Sequence, residues 1–425
     1  MKILICSDSY YPSVGGVQIV LQQIAERLVK RGHSITVATS KLKERISTNH
    51  NNILIKEFDV SGNYNRGLTG EVQKYCDYVL SENYDVLLMK AAQSWTFDAL
   101  MDDLYKIKKR KVFIPCGFSG LHYPYYKKYF NKMPTALRQF DHLIFYADNY
   151  RDINFAREHN INNFSVIPNG ASEIEFSVKP DTSTRDRFGI GNNEILLLTV
   201  GTFTGGKGHF EAASAFQLAK FDRPATLILN GNMPDKQAKL TITRLAKEYF
   251  KMGPLSMLKR IYNDLLLFTG IKKVAKKRDW NDVAKEVNSN ETDKNIIITD
   301  LKRDDLIQFF LNADLFVFAS NIEYSPLVLY ESAAAGLPFL SVPVGNATEI
   351  VEWTQGGVIC PAPSDKNGRT TVDPQVLADN ISSLLRNEAL LKKLSKDGRK
   401  NWEKKFTWDR ISLEYEKVLL GQIKN

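Results

Sequence analysis

The chain lacks the features that mark secreted, membrane-spanning and cysteine-ligated metal proteins. Only four of its 425 residues are cysteines, and they are scattered, with no Cys-x-x-Cys pair. Such usage is typical of reduced thiols in the cytosol rather than of disulfides or zinc ligands. No apolar run approaches the roughly 18 residues that a membrane-spanning helix needs, and the run at the N-terminus is too short for a signal peptide. We expect a cytoplasmic protein that reaches a membrane only by adsorption to its inner face.

Length and composition predict two domains. The chain exceeds a typical single domain, and 43% hydrophobic residues are enough for two ordinary cores. We predict an N-terminal domain over residues 1–178, a C-terminal domain over 190–405, and a helix over 406–425 that returns to the first domain. The polar stretch 177–193 is the predicted hinge.

Short runs of β-forming residues alternate with amphipathic helical patterns in both halves. The predicted strands are 3–6, 34–38, 86–89, 112–115, 142–146 and 164–167 in the first half, and 195–201, 225–230, 295–299, 315–319 and 338–342 in the second. Between the first two strands, residues 17–31 have apolar positions at helical spacing, and Gly32 ends the pattern. This βαβ order predicts an α/β fold with a parallel sheet, covered on both faces, in each half.

Residues 323–331 read Glu-Tyr-Ser-Pro-Leu-Val-Leu-Tyr-Glu, with two carboxylates eight positions apart. A helix that begins just past Ser325 and Pro326, with the proline in its first turn, would point the amides of Leu327 and Val328 out of its N-terminus. Such an end binds phosphate. Glu323 and Glu331 then flank an anion site, where a carboxylate is unfavourable unless it contacts hydroxyl groups. Sugar is therefore the expected partner of both, although each glutamate alone is also compatible with an ordinary solvated position.

These residues resemble the retaining nucleotide-sugar glycosyltransferases of the GT-B type, family 4-like, which have two Rossmann-like domains facing across a cleft. The family includes bacterial mannosyl- and glucosyltransferases of envelope and capsule synthesis. The resemblance runs over nearly the whole chain, and the string with two glutamates is its most specific part. It implies that Glu323 is a catalytic residue at the donor sugar and that Glu331 binds the nucleotide ribose.

A glycine pair, Gly15 and Gly16, lies in the loop after the first predicted strand. Paired glycines let a ligand approach the backbone closely, but alone they are typical of a tight turn. The resemblance implies that they face the donor diphosphate.

The loop after strand 195–201 contains Gly201, four residues, and then Gly206-Lys207, which matches part of a phosphate-binding P-loop. A P-loop requires Ser or Thr after the lysine to hold magnesium, and Gly208 has no hydroxyl. The resemblance implies instead that Lys207 contacts the donor diphosphate as a catalytic cation. The family has an additional arginine where this chain has Thr202, so backbone amides would carry more of the stabilisation.

The family also has a histidine after the strand that corresponds to 112–115, near the donor sugar. This chain has Cys116 and Gly117 there, and His122 follows six residues later. Either His122 enters the site as a catalytic residue, or it is a surface residue among tyrosines.

The predicted reaction needs no cofactor and no metal, because no Asp-x-Asp motif lies beside the donor elements and no carboxylate pair suits a covalent glycosyl-enzyme. The resemblance then implies front-face attack with retention. The complete predicted donor-binding set is Gly15, Gly16, Thr202, Gly206, Lys207, Thr299, Leu301, Glu323, Ser325, Leu327, Val328 and Glu331.

The formal net charge of +9 predicts an anionic partner, and no nucleic-acid-binding module is recognisable. One basic and aromatic stretch spans 123–133. Another lies in a long segment, 232–294, inserted where the family has a short helix and turn; it includes Lys251, Lys259, Arg260, Lys272, Lys273, Lys276, Lys277 and Arg278. These stretches fit an anionic membrane face, or equally a solvated helical insertion. The expected partners are a UDP- or GDP-sugar and a glycan or lipid-linked acceptor.

Three hypotheses follow from the sequence. A glycosyltransferase accounts for both phosphate-binding loops, the two glutamates and the duplicated fold. A P-loop kinase or nucleotide hydrolase accounts only for residues 201–207. A catalytically inactive nucleotide-sugar-binding or scaffold protein of the same fold accounts for the missing arginine and histidine.

Overall fold

The computed structural model describes residues 1–13, 15–232, 278–290, 292–365 and 367–423. The chain divides into two compact units. Unit 1 comprises Met1–Asn169 and the C-terminal segment from Trp408, and unit 2 comprises Gly170–Thr407.

Unit 1 is built on an eight-stranded sheet with the order β10-β9-β8-β7-β1-β2-β4-β3, in which only β3 is antiparallel to its neighbour. A separate hairpin, β5-β6, lies beside it. The strands are β1 Lys2–Cys6, β2 Ser34–Ser40, β3 Asn49–His50, β4 Ile53–Phe58, β5 Val60–Asn63, β6 Gly67–Gly70, β7 Val86–Lys90, β8 Arg110–Ile114, β9 His142–Phe145 and β10 Phe164–Val166.

The helices of unit 1 cover the sheet, and they are α1 Gly16–Lys30, α2 Val72–Ser81, α3 Trp95–Asp98, α4 Lys127–Leu137, α5 Arg151–Glu158 and the C-terminal Trp408–Leu419. The C-terminal helix packs on α1. Arg27 Nε donates to Asp409 Oδ1 at 2.8 Å, and His33 Nε2 lies 2.6 Å from Glu416 Oε1. These polar contacts fix the last helix of the chain to the first.

Unit 2 contains a six-stranded parallel sheet with the order β13-β12-β11-β14-β15-β16. Its strands are β11 Ile195–Val200, β12 Ala225–Asn230, β13 Lys294–Thr299, β14 Leu315–Phe318, β15 Phe339–Ser341 and β16 Gly357–Ile359. Its helices are α6 Ser183–Arg187, α7 His209–Leu218, α8 Trp280–Asn290, α9 Arg303–Asn312, α10 Leu327–Ala335, α11 Ala347–Thr354, α12 Pro374–Arg386 and α13 Glu388–Lys405, and the C-terminal helix of unit 1 is α14. The predicted α/β class with parallel sheets in two domains is confirmed.

The strand order explains where the chemistry of unit 2 collects. In a parallel sheet the carboxyl ends of all strands meet at one edge, and ligands bind there. β11 lies between β12 and β14, so the loops after these three strands are neighbours. They carry residues 201–208, residues 231–232 and residues 319–326.

The polar stretch 177–193 lies inside unit 2, after the boundary at Gly170. Arg185 attaches it to the sheet, because its Nη1 donates to the Glu194 carbonyl at 2.7 Å and its Nη2 to the Asn312 carbonyl at 2.9 Å. Thr184 is fully buried. Polar composition predicted a linker, but these polar groups are satisfied by unit 2 itself.

Most of the predicted insertion, residues 233–277, lies outside the described residues. At its end, Arg278 bonds to Glu286 and donates to Gln217 Oε1 at 2.9 Å. In the described part of the chain, no helix is both long and apolar enough to cross a membrane.

Candidate active site

The glycine-rich loop of residues 201–208 joins β11 to α7 and depends on a close backbone contact. Gly208 has φ +77°, and a Cβ there would lie 2.1 Å from the Ala319 carbonyl oxygen. Only glycine fits this position, since a side chain would meet the backbone at the end of β14. The contact brings Lys207 to the loop that follows β14.

Lys207 and Glu323 form an ion pair at this edge, with Nζ 2.6 Å from Oε1. The lysine side chain is 32% exposed and the glutamate side chain 15%. Ser320 Oγ donates to the same glutamate oxygen at 3.0 Å. The resemblance implies that Lys207 contacts the diphosphate and Glu323 the sugar, and the structure places these two residues in direct contact.

A second glycine holds the glutamate loop in place. Gly345 has φ +58°, and a Cβ there would lie 2.3 Å from the Tyr324 carbonyl oxygen. Asn346 donates its amide to that same oxygen at 2.8 Å. The loop after β15 therefore fixes the backbone next to Glu323.

Helix α10 begins four residues after Glu323. The helix begins at Leu327, just past Pro326 as predicted; the proline is its N-cap rather than part of its first turn, and Gly336 ends it in a left-handed conformation. As the first two residues of the helix, Leu327 and Val328 have amides without intrahelical acceptors. Both are half-buried, as is Ser325 just before the proline. Free amides beside Lys207 and Glu323 make this helix end suitable for a phosphate group.

Glu331 is buried on α10 and pairs with Arg303, whose Nη2 lies 2.6 Å from Glu331 Oε1. The same arginine binds Glu175 through two bonds, of 2.9 and 2.8 Å. Burial disfavours the charged guanidinium, but the two carboxylates outweigh this and raise the pKa of Arg303. Sequence reasoning missed Arg303. The only available signal was that a buried glutamate requires a cation, without indicating which one.

Thr299 and Leu301 lie at the end of β13 and are linked to the glycine-rich loop through β12. Leu301 donates its amide to Asn230 Oδ1 at 2.8 Å, and the Asn230 carbonyl accepts the Gly201 amide at 3.0 Å. Thr299 accepts the Gly231 amide at 2.9 Å. Thr202, at the position of the missing arginine, is half-buried in the same loop.

His209, directly after the loop, is a buried residue that sequence reasoning did not single out. Its ring lies 4.4 Å from Phe203 and 6.0 Å from Trp280 between ring centroids. Burial lowers the pKa of His209 to about 4, so the imidazole is neutral at pH 7. It supports the loop by packing and contributes no charge.

Asn321 is a second residue that the sequence did not indicate. Its amide donates to the Gly206 carbonyl at 3.0 Å, and its side chain donates to Glu211 at 3.0 Å and accepts from Arg369 at 2.8 Å. This buried asparagine fixes Gly206 and brings the Arg369 guanidinium, another cation, close to the glycine-rich loop.

The predicted residues of unit 1 lie on a separate sheet edge. Gly15 is the N-cap of α1, with an extended backbone, and Gly16 is the exposed first residue of the helix. Beside them, Lys90 at the end of β7 is fully buried and donates to the Val17 carbonyl at 3.2 Å. The role of the glycine pair at the diphosphate stays a prediction.

Cys116 stands where the resemblance implies a histidine. Its backbone is left-handed, with φ 60°, and so is that of Phe118, with φ 48°. Such strain in non-glycine residues is typical of functional loops. Burial raises the pKa of the Cys116 thiol to about 11, so it is neutral at pH 7. His122 is exposed and forms no hydrogen bond with a described residue, and its catalytic role stays a prediction.

Comparison with known proteins gives the geometry its context. Residues 278–401 match the family model for Glycosyl transferases group 1. Over 423 residues the chain is 22% identical to an N-acetyl-alpha-D-glucosaminyl L-malate synthase of Bacillus anthracis, covering 96% of this chain and 94% of that one.

Solved structures show the same fold. Sucrose-phosphate synthase from Thermosynechococcus elongatus matches with a TM-score of 0.70 at 16% identity, over 99% of this chain and 98% of that one. Anabaena HepE in complex with UDP-glucose matches with a TM-score of 0.62 at 15% identity, over 100% of both chains. The predicted GT-B fold is confirmed. Residues 278–401 match the Glycosyl transferases group 1 model, and the chain has the two-domain GT-B fold of these solved structures.

Proposed function

We propose that the protein is a retaining, metal-independent hexosyltransferase. It would move a sugar from a UDP- or GDP-sugar to a hydroxyl of a glycan or lipid-linked acceptor, in polysaccharide or cell-envelope glycan synthesis. The observation that carries this proposal is the ion pair between Lys207 and Glu323, because Glu323 lies four residues before the first residue of α10. A cation, a carboxylate and free helix amides together suit a ligand with a diphosphate next to sugar hydroxyls.

The names of similar proteins support a nucleotide-sugar donor. HepE is described in complex with UDP-glucose, and an E. coli protein of the same fold is described as bound with UDP-2-fluoro glucose. The B. anthracis relative is named as an N-acetylglucosaminyl L-malate synthase.

Without donor, Lys207 and Glu323 compensate each other's charge. In the proposed complex Lys207 turns to the diphosphate and Glu323 to the sugar hydroxyls, while Glu331 accepts from the ribose. The positive charge of Lys207 and the amides of Leu327 and Val328 then stabilise the phosphate that leaves. These contacts strengthen as negative charge develops on the bridging oxygen, which is the requirement for catalysis.

The proposed transfer proceeds on one face of the sugar. The acceptor oxygen forms a bond to the anomeric carbon as the bond from that carbon to the phosphate oxygen breaks. The acceptor proton passes to the departing phosphate oxygen. Configuration is therefore retained without a covalent enzyme intermediate.

The test is a panel of UDP- and GDP-sugars scored by thermal shift, since a ligand of the native state raises its stability. We expect one donor to raise the melting temperature and to release UDP or GDP without added metal. Magnesium-dependent ATP hydrolysis would instead support the P-loop hydrolase. Donor binding with no release, tried across glycan and lipid-linked acceptors, would support the inactive binding protein.

The charge distribution supports a lipid-linked acceptor. Residues 233–277 contain eleven Lys or Arg and three Asp or Glu, a net +8 out of the chain's +9. Each such charge near an anionic surface contributes about 1 kcal/mol of attraction, screened over roughly 10 Å at 0.1 M salt. Arg278 is paired with Glu286, so its charge contributes less to this attraction than an unpaired charge would.

We expect sedimentation with anionic liposomes at low salt, and none with neutral liposomes or at high salt. Neutralising Lys272, Lys273, Lys276, Lys277 and Arg278 together should abolish it. The matched control neutralises exposed lysines of α13, Lys393, Lys396 and Lys404, and should leave it intact. If the wild type ignores anionic liposomes, the acceptor reaches the enzyme from solution.

A further inference from the structure

We propose that Arg303 is the positioning residue that holds the Glu331 carboxylate for the nucleotide ribose, with Glu175 as the anchor of the arginine. The inference rests on the proposed function, because Glu331 is assigned to the ribose there. It adds two residues, Arg303 and Glu175, to the donor site.

The first argument is the geometry of the guanidinium. Arg303 Nε donates to Glu175 Oε1 at 2.9 Å and Nη2 donates to Glu175 Oε2 at 2.8 Å. Two parallel bonds of this kind fix both the plane and the direction of a guanidinium. The third bond, from Nη2 to Glu331 Oε1 at 2.6 Å, therefore comes from a group whose orientation is already set.

The second argument is the burial of Glu331. Its side chain is 9% exposed, against 31% for Glu175. A buried carboxylate near a diphosphate site is repelled by its ligand unless a cation compensates it. Arg303 supplies that charge while contacting one carboxylate oxygen, and among the described residues nothing donates to Oε2. That oxygen remains available to accept from hydroxyl groups.

The third argument is the position of Arg303 in the fold. It is the first residue of α9, two positions after Leu301, whose amide is held by Asn230 on the neighbouring strand. Glu175 comes from the segment that opens unit 2. Three chain segments therefore meet at this guanidinium. A lysine could keep its charge but not its two-bonded contact with Glu175.

The experiment measures nucleoside diphosphate binding by calorimetry with ligands that differ only in the ribose. The ligands are UDP with its 2′-deoxy and 3′-deoxy forms, and the GDP set if the wild type binds GDP instead. The variants are Arg303→Gln, Arg303→Lys, Glu175→Gln and Glu331→Gln. Arg187→Gln is the matched control, because it removes an ion pair of 3.0 Å to Asp305 on the same helix without touching Glu331.

We expect the wild type to prefer UDP by about tenfold over the deoxy form that lacks the hydroxyl bound by Glu331, the typical effect of one lost hydrogen bond to a charged group. In Arg303→Gln this preference should fall below about twofold, as it should in Glu331→Gln. The reason is that the affinity for UDP falls, whereas the affinity for the deoxy ligand does not change. Arg303→Lys and Glu175→Gln should be intermediate. Arg187→Gln should keep the full preference.

Several outcomes would overturn the inference. An equal loss of affinity for all ligands in Arg303→Gln would mean that the arginine supports only the fold. An unchanged preference in Arg303→Gln would mean that Glu331 is positioned without it. If Arg303→Gln does not fold, the ribose preferences of Arg303→Lys and Glu175→Gln test the inference instead. An unchanged preference in both variants, or an equal loss of affinity for all ligands, would overturn it.

The failure of the proposed function is distinguishable from these outcomes. If the wild type releases UDP from a donor but shows no ribose preference, the inference fails and the transferase stands. If the wild type binds neither UDP nor GDP, the proposed function fails and this role of Arg303 fails with it.

Discussion

The two units have the same architecture but different chemistry at the carboxyl edges of their sheets. In unit 2 this edge has two ion pairs, Lys207–Glu323 and Arg303–Glu331, in which the cations are partly exposed and their charges are compensated. In unit 1 it has Lys90, which is fully buried, forms no ion pair with a described residue and lies over the ring of Tyr146 at 5.4 Å. Burial lowers the pKa of Lys90 to about 8, although Cys116 and Asp8 oppose the shift.

The comparison shows that a parallel sheet edge provides a place for a site but not its chemistry. Ion pairs that a ligand can exchange suit a charged, reversible ligand such as a nucleotide diphosphate. A fully buried ammonium bonded to the start of α1 cannot reach a ligand without rearrangement, and it stabilises the local backbone instead. The following predictions test this division.

The largest effect is expected for Glu323→Gln, which breaks the ion pair of unit 2 while keeping the shape of the side chain. Transfer should fall by about 10³-fold, since the sugar loses its carboxylate. UDP affinity should not weaken, because Lys207 is released from a competing partner. Steady-state kinetics and calorimetry measure the two effects, with the exposed Glu388→Gln as control. A loss of UDP affinity as large as the loss of turnover would reassign Glu323 to the nucleotide.

Lys207→Met removes the other half of the pair and should lower turnover by about a hundredfold, the typical effect of one lost preorganised contact. Glu323 would be left near the phosphate without its cation, so affinity for UDP should fall as well. Single-turnover kinetics separate the two contributions. If turnover is unchanged, Arg369 or the helix amides carry the phosphate charge.

Lys90→Met tests the buried cation of unit 1. Because the pKa of Lys90 is lowered only in the native state, the unfolded chain binds more protons than the native protein between about pH 8 and 10.5. The free energy of unfolding of the wild type therefore rises with pH in that window. Below pH 8 the buried Lys90 is charged in the native state, so the full cost of desolvating that charge reduces the stability of the wild type. The variant should therefore raise the free energy of unfolding at pH 7 by about 1–3 kcal/mol, less the lost bond to Val17.

Urea unfolding of wild type and Lys90→Met at pH 7 and pH 9.5 measures this effect. The difference between the two proteins should shrink at the higher pH, while the exposed Lys108→Met shows no such trend. Affinity for UDP should not change. A difference that is constant with pH would mean that burial does not lower the pKa of Lys90 in the native state.

The smallest effect is expected for metal removal. If the cations of unit 2 suffice for the diphosphate, EDTA should leave turnover within about twofold, since no charge has to be replaced. Activity that EDTA abolishes and magnesium restores would contradict the metal-independent mechanism. Comparison with Lys207→Met in the same buffer shows whether a metal compensates for the missing lysine.

Much of the fold was predictable because its signals are local. The predicted strand 225–230 coincides with β12, and the predicted helix 17–31 differs from α1 by one residue at each end. Apolar runs and helical periodicity depend on neighbouring residues, so they are visible without tertiary information. Residues 177–193 show the limit, since their polar groups find partners in unit 2 that composition does not indicate.

The sequence by itself determined the two-domain α/β class, the glycine-rich loop, the start of a helix at Leu327 and the two glutamates of the motif, Glu323 and Glu331. Only the tertiary structure decided their partners. Lys207 meets Glu323 across 116 positions of sequence, and Arg303 meets Glu331 across 28. These pairings follow from β11 lying beside β14 and from the packing of α9 on α10. Strand order and helix packing are products of the whole hydrophobic core, which local patterns do not specify.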